Sequence, residues 1–204
     1  MYKRQVKALN GVYIELNTNE LYGRNLTAGA LDVMGQYYSV ASSSHAFYNY
    51  GGLVYTGNDE KALFDNMWQK CYAVIACCNT IIEKCDENKA GLSPVWRGSI
   101  KGEALALRAM LHFDMLRLFG PLTSELDKES IPYQTNSDQT VTPLLSGSEV
   151  VGLILDDLKN AVGLLKDTDP YFVEEEFSDT DLNYRRFRMN YFAAKGLMAR
   201  VQLW

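Results

Sequence analysis

Apolar residues recur at helical spacing along most of the chain, and the polar breaks between them carry helix-cap signals. Val6, Leu9, Tyr13 and Leu16 predict a first helix over about 6–21. A short helix over about 28–37 is expected next, with Thr27 as its N-cap. Trp68, Cys71, Tyr72, Ile75, Cys78, Asn79 and Ile82 form the stripe of a long helix over about 61–87. Ala73, Ala76, Cys77 and Thr80 give that helix a second face of small side chains, which predicts neighbours on both sides. In "GLSPVW", Ser93 fits an N-cap and Pro94 the first helical position of a third long helix ending near Phe119. Trp96, Ile100, Leu107, Leu111, Met115 and Leu118 make one of its stripes; Ala106, Ala109, Met110, Phe113 and Leu116 make another. Gly98 and Gly102 invite a close helix crossing, and Gly120-Pro121 predicts a stop through a left-handed glycine. Ser146 and Glu149 have the spacing of a capping box, ahead of a stripe of Val151, Ile154, Leu158, Ala161 and Leu165. The last helix begins near Met189 and meets no stop signal before Trp204, so the chain is expected to end inside a helix whose faces at Leu197, Val201 and Trp204 are left exposed. No strand pair and no composition shift is evident. The fold class is therefore all-α, built of antiparallel helix pairs.

Three polar stretches interrupt this pattern. "YSVASSSHAFYNYGGLVYTGNDE", Tyr38 to Glu60, mixes serines, glycines and aromatics without a helical period. A connection over about 123–145 is polar, and "DTDPYFVEEEFSDTDLNY" is acidic. The aromatic stretch is the better functional clue. His45, Phe47, Tyr48, Asn49 and Tyr50 combine flat apolar faces with hydrogen-bonding edges, the pairing that sugars require, since C–H faces stack on rings while hydroxyls bond amides and phenols. The competing reading is that these rings tuck the loop onto the helices.

Composition narrows the classes. The chain has 204 residues, 47% hydrophobic and 22% charged, as soluble globular proteins do. Its net charge of −5 argues against nucleic acid as the main partner, because neutralising phosphates takes a basic face. No apolar run reaches the roughly 18 residues of a membrane span, and "MYKRQVKALN" lacks the apolar core of a secretory signal. Cys71, Cys78 and Cys85 repeat every seven residues, about 10 Å apart along one helix stripe. That spacing is too wide for a disulfide or for one tetrahedral metal, so they read as small apolar side chains.

Catalytic chemistry has little support. His45 and His112 are the only histidines. The paired E-x-x-H motifs of a di-iron bundle, H-E-x-x-H, the P-loop, G-x-G-x-x-G and G-x-S-x-G are all absent. Asp179, Asp181 and Asn183 begin a calcium-loop spacing that fails at Tyr184 and Asn190; Glu174, Glu175 and Glu176 read as a solvated run. No cofactor and no metal is expected. Arg108 lies among apolar residues and needs a carboxylate, with Glu103, Asp156 and Asp157 as candidates. A structural ion pair between Glu103 and Arg108 is favoured over a catalytic role.

The helices resemble a known family. Gly102, Glu103, Ala104, Arg108, Ala109, Phe113, Arg117, Gly120 and Pro121 occupy a G-E-A-x-x-x-R-A-x-x-x-F-x-x-x-R-x-x-G-P pattern similar to that of SusD/RagB-type outer-membrane lipoproteins. Trp68, Tyr72, Ile75 and Asn79 resemble the family's W-x-x-x-Y-x-x-I-x-x-x-N helix. "ILDDLKNAVGLL" and "AAKGLMARVQLW" resemble its D-L-x-x-A-x-x-x-L and A-A-x-x-L-x-A-R-x-x-L helices. The resemblance covers about residues 5–204. It implies a tetratricopeptide-like, right-handed helical scaffold, with 1–204 as the N-terminal SusD-like domain, cut within a helix. It implies a non-enzymatic protein of polysaccharide utilisation at the bacterial cell surface. Such a protein would bind an oligosaccharide beside a SusC-like TonB-dependent outer-membrane transporter, and would touch the membrane only through a lipid anchor not present in this sequence. It also places a ligand loop just before the W-x-x-x-Y helix, where Tyr38–Glu60 stands, although that loop has no Trp. The alternative is a helical-repeat interaction scaffold without a sugar ligand.

Overall fold

The computed structural model describes residues 3–138, 140–173 and 184–204. Its helices are α1 (Lys3–Leu16), α2 (Ala30–Met34), α3 (Tyr48–Gly51), α4 (Asn58–Glu87), α5 (Pro94–Phe119), α6 (Gly147–Thr168) and α7 (Tyr191–Leu203). One small antiparallel hairpin joins β1 (Glu129–Pro132) to β2 (Leu144–Ser146), pairing Glu129 with Ser146 and Pro132 with Leu144 across an irregularity. The fold is all-α and tetratricopeptide-like, as the helical periodicity and the resemblance require. The chain divides into two compact units: Asn10–Val74, and Met1–Leu9 with Ile75–Trp204.

In the larger unit α5 is the central rod. It is buried on nearly every side, from Gly98 to Leu116, which is why its sequence is apolar all round. Ser93 caps it by accepting the Trp96 N–H, with Pro94 at the first turn. α6 packs along it from a complete capping box, in which Ser146 and Glu149 bond each other's backbone N–H. The crossing is close because two glycines stand at it. A Cβ on Gly98 would lie 2.6 Å from Thr168 Cγ2, and one on Gly102 would lie 2.8 Å from Leu165 Cγ. α6 turns Val150, Ile154, Leu158, Ala161 and Leu165 inward. α7, capped by Asn190, packs against α6 and α5. Leu197 and Val201 are therefore buried, correcting the expectation of an exposed end, and the Trp204 ring meets Phe113 edge-on at 5.6 Å.

The smaller unit holds the second half of α1, a run of turns, α2, α3 and the first half of α4. Its core contains Val12, Leu16, Leu21, Leu26, Val33, Tyr50, Met67 and Cys71. Lys70 pairs with Glu15 between α4 and α1.

Several sequence expectations are corrected. α1 stops at Leu16 rather than near residue 21, and the segment after it is a series of turns. α2 is only five residues long, and Gly29, not Thr27, precedes it; the Thr27 hydroxyl instead bonds the Tyr22 and Arg24 carbonyls. Gly120 ends α5 with extended backbone (φ −82, ψ 177), not a left-handed turn. On α4 the small-residue face is largely open: Ala73, Cys77 and Thr80 are exposed. Such short side chains leave little apolar surface in water, and Thr80 bonds its own helix at the Ala76 carbonyl. Cys71, Cys78 and Cys85 are buried and Cys77 is exposed, and none of the four is in a disulfide. The acidic stretch at Glu174–Glu176, Asp179, Asp181 and Asn183 lies outside the described residues.

Candidate functional site

The buried Glu103, Arg108 and His112 of α5 are consumed by structure. Arg108 donates from Nε and Nη2 to the two Asp157 oxygens, both at 2.7 Å, and from Nη1 to Asn79 Oδ1 at 2.8 Å and the Thr135 carbonyl at 3.3 Å. Tyr133 adds its hydroxyl to Asp157 at 2.5 Å. Asn79 donates in turn to the Gln134 and Asn136 carbonyls, fastening the segment after β1. Burial pulls the Arg108 guanidinium down, but the hydrogen bond and charge of Asp157 outweigh it and leave the group above its ordinary value. Burial, and then the Asp157 charge, hold the Tyr133 phenol well above its usual range, so it stays protonated.

The Glu103–Arg108 pair expected from sequence is corrected: the partner of Arg108 is Asp157. Glu103 pairs instead with Arg185, which also grips Asp169 through Nε at 3.0 Å and Nη2 at 2.6 Å. All three groups are buried. Asp157 wins over Asp156 by helix phase: it lies on the inward face with Ile154, Leu158 and Ala161, while Asp156 is exposed and pairs with Lys159.

His112 is equally committed. Its Nδ1–H donates to the Arg108 carbonyl at 3.0 Å, its Nε2 accepts the Gln134 N–H at 3.0 Å, and its ring stacks on Tyr133 at 3.9 Å. Burial pushes its pKa down to about 3, so it is neutral and has no nitrogen left for a substrate. A hollow of about 500 Å³ opens beside this network, next to Lys101 and Asn160. Its cations are already used, Arg108 as above and Lys101 by Asp86. Among the described residues no group of His, Cys, Asp or Glu could hold a metal ion.

The other site belongs to the smaller unit. The stretch from Gln36 to Val54 encloses a cleft of about 410 Å³. Tyr38 and Tyr48 line it with exposed rings, together with Gln36, Ser39, Val40, Asn49, Val54 and the glycine pair Gly51-Gly52. The cleft's framework is hydrogen-bonded from behind. Gln36 Nε2 donates to the Val33 and Gly51 carbonyls at 3.3 and 3.0 Å, and Asn49 Nδ2 donates to the buried Glu60 carboxylate at 2.8 Å. Both amides are thus oriented by their NH2 ends. Gln36 (φ 62) and Leu53 (φ 54) sit in the left-handed region at either end of the stretch. Non-glycine residues there carry strain that the surrounding packing must hold in place.

The five residues singled out from sequence separate into three sets. Tyr48 and Asn49 line the cleft, and His45 is exposed but outside the lining. Tyr50 is a correction: only 2% of it is exposed, because its ring packs with Phe47, Tyr55 and Phe64 at 5.8, 6.2 and 6.0 Å. Burial, with the Glu60 and Asp59 charges, pushes its phenol up to about 12. Phe47 is half-buried against that cluster, with the Arg24 guanidinium 5.7 Å over its ring. Residues 48–51 form a single helical turn, and that turn points alternate aromatics in and out. Of the lining residues, Gln36 lies outside the Tyr38–Glu60 stretch marked in the sequence, and Tyr38 lies within it but not among the five. Tyr38 was legible as an aromatic in a polar run; nothing local marks Gln36.

A family model described as "Starch-binding associating with outer membrane" (SusD-like_3) matches residues 7–203. A SusD-like protein of Bacteroides ovatus is 30% identical over 146 residues, covering 70% of this chain and 23% of its own length. A SusD-like protein of Formosa agariphila is 34% identical over 96 residues, covering 46% of this chain and 17% of its own length. Among solved structures, a SusD-like carbohydrate binding protein from Bacteroides vulgatus superposes with a TM-score of 0.76 at 25% identity, over 98% of this chain and 41% of that one. A SusD superfamily protein from Bacteroides thetaiotaomicron gives 0.72 at 21% identity, over 100% and 42%. The chain thus spans less than half the length of these relatives.

Proposed function

Because the chain belongs to the SusD-like family, we propose that it is a non-enzymatic glycan-binding protein, and that the Gln36–Val54 cleft is where this part of the protein touches sugar. The observation that carries the reading is the cleft itself. Two exposed tyrosine rings, Tyr38 and Tyr48, face a hollow whose polar groups are pre-oriented by hydrogen bonds behind them. Pre-orientation matters because every side chain already fixed is one that binding need not order. The hollow has room for roughly two monosaccharide rings. The rings offer stacking faces, and Ser39, Asn49 and the tyrosine hydroxyls offer hydrogen bonds.

In the cell the protein would sit on the outer-membrane surface through a lipid anchor and pass oligosaccharide to a SusC-like TonB-dependent transporter. The family description supports the outer-membrane setting. No helix among the described residues is long and apolar enough to cross a membrane. The satisfied state of His112, Arg108 and Glu103 favours binding over catalysis.

The test is electrophoresis through gels containing soluble polysaccharides, with the wild type and a Tyr38→Ala/Tyr48→Ala variant side by side. Retardation of the wild type by at least one polysaccharide, lost in the variant, is expected. A protein retarded by none of them would favour an interaction scaffold instead. Co-purification of a TonB-dependent transporter with the tagged protein, from membranes of the source bacterium, tests the partnership.

A further inference from the structure

We infer that the cleft is built for a neutral oligosaccharide and excludes uronate-containing or sulfated glycans; this rests on the glycan-binding reading above. No Asp, Glu, Lys or Arg occurs between Asp32 and Asp59, in a chain with 22% charged residues. That stretch contributes the whole lining of the cleft. The lining therefore presents hydroxyls, amides, backbone and tyrosine rings, and no cation.

An acidic sugar needs cations. Carboxylate and sulfate groups are recognised by Arg and Lys through charge-assisted hydrogen bonds, roughly twice as strong as neutral ones. Moving an anion from water into a site without them costs desolvation that nothing repays. The nearest charges make the case stronger. The buried Glu60 carboxylate accepts from Asn49, so the charge held directly against the lining is negative. Burial first, and then the Glu60 and Asp59 charges, hold the neighbouring Tyr50 phenol above its ordinary value. Arg24 lies over the Phe47 ring and is not part of the lining.

A neutral sugar asks for something else, and the cleft supplies it. Gln36 donates twice through its NH2 and Asn49 donates to Glu60, which turns their carbonyl oxygens toward accepting from sugar hydroxyls. Tyr38 and Tyr48 stack on C–H faces, a contact indifferent to ionic strength.

The experiment is calorimetry on the whole chain with two panels. One is neutral (malto-, xylo- and manno-hexaoses); the other is acidic (an oligogalacturonate and a heparin-derived hexasaccharide). Each ligand that binds is re-measured from about 0.1 M to about 1 M NaCl, which shortens the Debye length from about 10 Å to about 3 Å. We expect a neutral hexaose to bind with a Kd that salt changes by less than about twofold. Tyr48→Ala should weaken it about fivefold, and Tyr48→Phe should retain most of it. If the ligand that binds is acidic, or if Kd weakens more than about tenfold with salt, the neutral-ligand inference is overturned and the glycan-binding reading stands. If neither panel binds, or if binding ignores both Tyr38→Ala and Tyr48→Ala, both are overturned.

Discussion

Replacing Asp157 by Asn should be among the most damaging single changes in the larger unit. The Asp157 carboxylate accepts three hydrogen bonds, from Arg108 Nε and Nη2 at 2.7 Å each and from the Tyr133 hydroxyl at 2.5 Å. The side chains of Arg108 and Asp157 are 7% and 10% exposed, so solvent cannot replace what is lost. An asparagine is the same size, but it turns one acceptor into a donor facing a donor and leaves the guanidinium charge unneutralised. Breaking a buried pair by removing one partner costs about 3–5 kcal/mol, a large share of the roughly 5–15 kcal/mol that holds a domain folded. At about 2–4 °C per kcal/mol for a chain of this size, Tm should fall by roughly 10 °C. Urea unfolding followed by circular dichroism measures the loss, and a series in NaCl should leave it unchanged because the pair is shielded from ions. The double variant Arg108→Met/Asp157→Leu should be less destabilised than Asp157→Leu alone, since it strands no charge. A loss below about 1 kcal/mol for Asp157→Asn, or strict additivity in the double variant, would refute the reasoning.

Three further outcomes follow from particular contacts. Unfolded His112 takes a proton near 6.5 but the folded one only near 3, so the unfolded state binds more protons between those values. Its stabilising share is whole above pH 6.5 and is lost at up to about 1.4 kcal/mol per pH unit below it; His112→Gln should flatten that part of the stability–pH curve, and an unchanged slope would contradict it. Gly102→Val should destabilise by about 2 kcal/mol through its collision with Leu165, whereas Gly152→Ala and Gly163→Ala, exposed on α6 with nothing within 4 Å, should stabilise by about 0.5–1 kcal/mol each by thermal melt. A thiol reagent should label Cys77 quickly in the native protein and leave Cys71, Cys78 and Cys85 untouched until it unfolds; burial also raises the Cys78 and Cys85 thiols to about 12 and about 11.

What the sequence made legible follows from how local each signal is. The starts of α5 and α6 were readable because Ser93, Pro94, Ser146 and Glu149 act within one turn of the helices they cap. The family signature was readable too, and the structure gives part of its physical content: Asn79, Arg108 and the second Asp of "LDDL" meet in one buried network. The partner of Glu103 was not readable, since Arg185 lies 82 residues away with no periodic relation to it. The hairpin escaped notice because strands of three and four residues carry no alternating pattern. In the aromatic stretch the residue types were legible but their directions were not. The single turn at Tyr48–Gly51 sends Tyr50 into the core and Tyr48 into solvent, and only the packing of Phe64 and Tyr55 decides which is which.

The most direct test of the central claim is amide chemical-shift mapping of the 15N-labelled chain, titrated with the hexaose that binds best. Shifts clustered on Gln36–Val54, with Tyr38 and Tyr48 ring signals moving and the amides of α5 and α6 still, are the result expected of a sugar in this cleft. Shifts clustered elsewhere, or none at millimolar sugar, would contradict it.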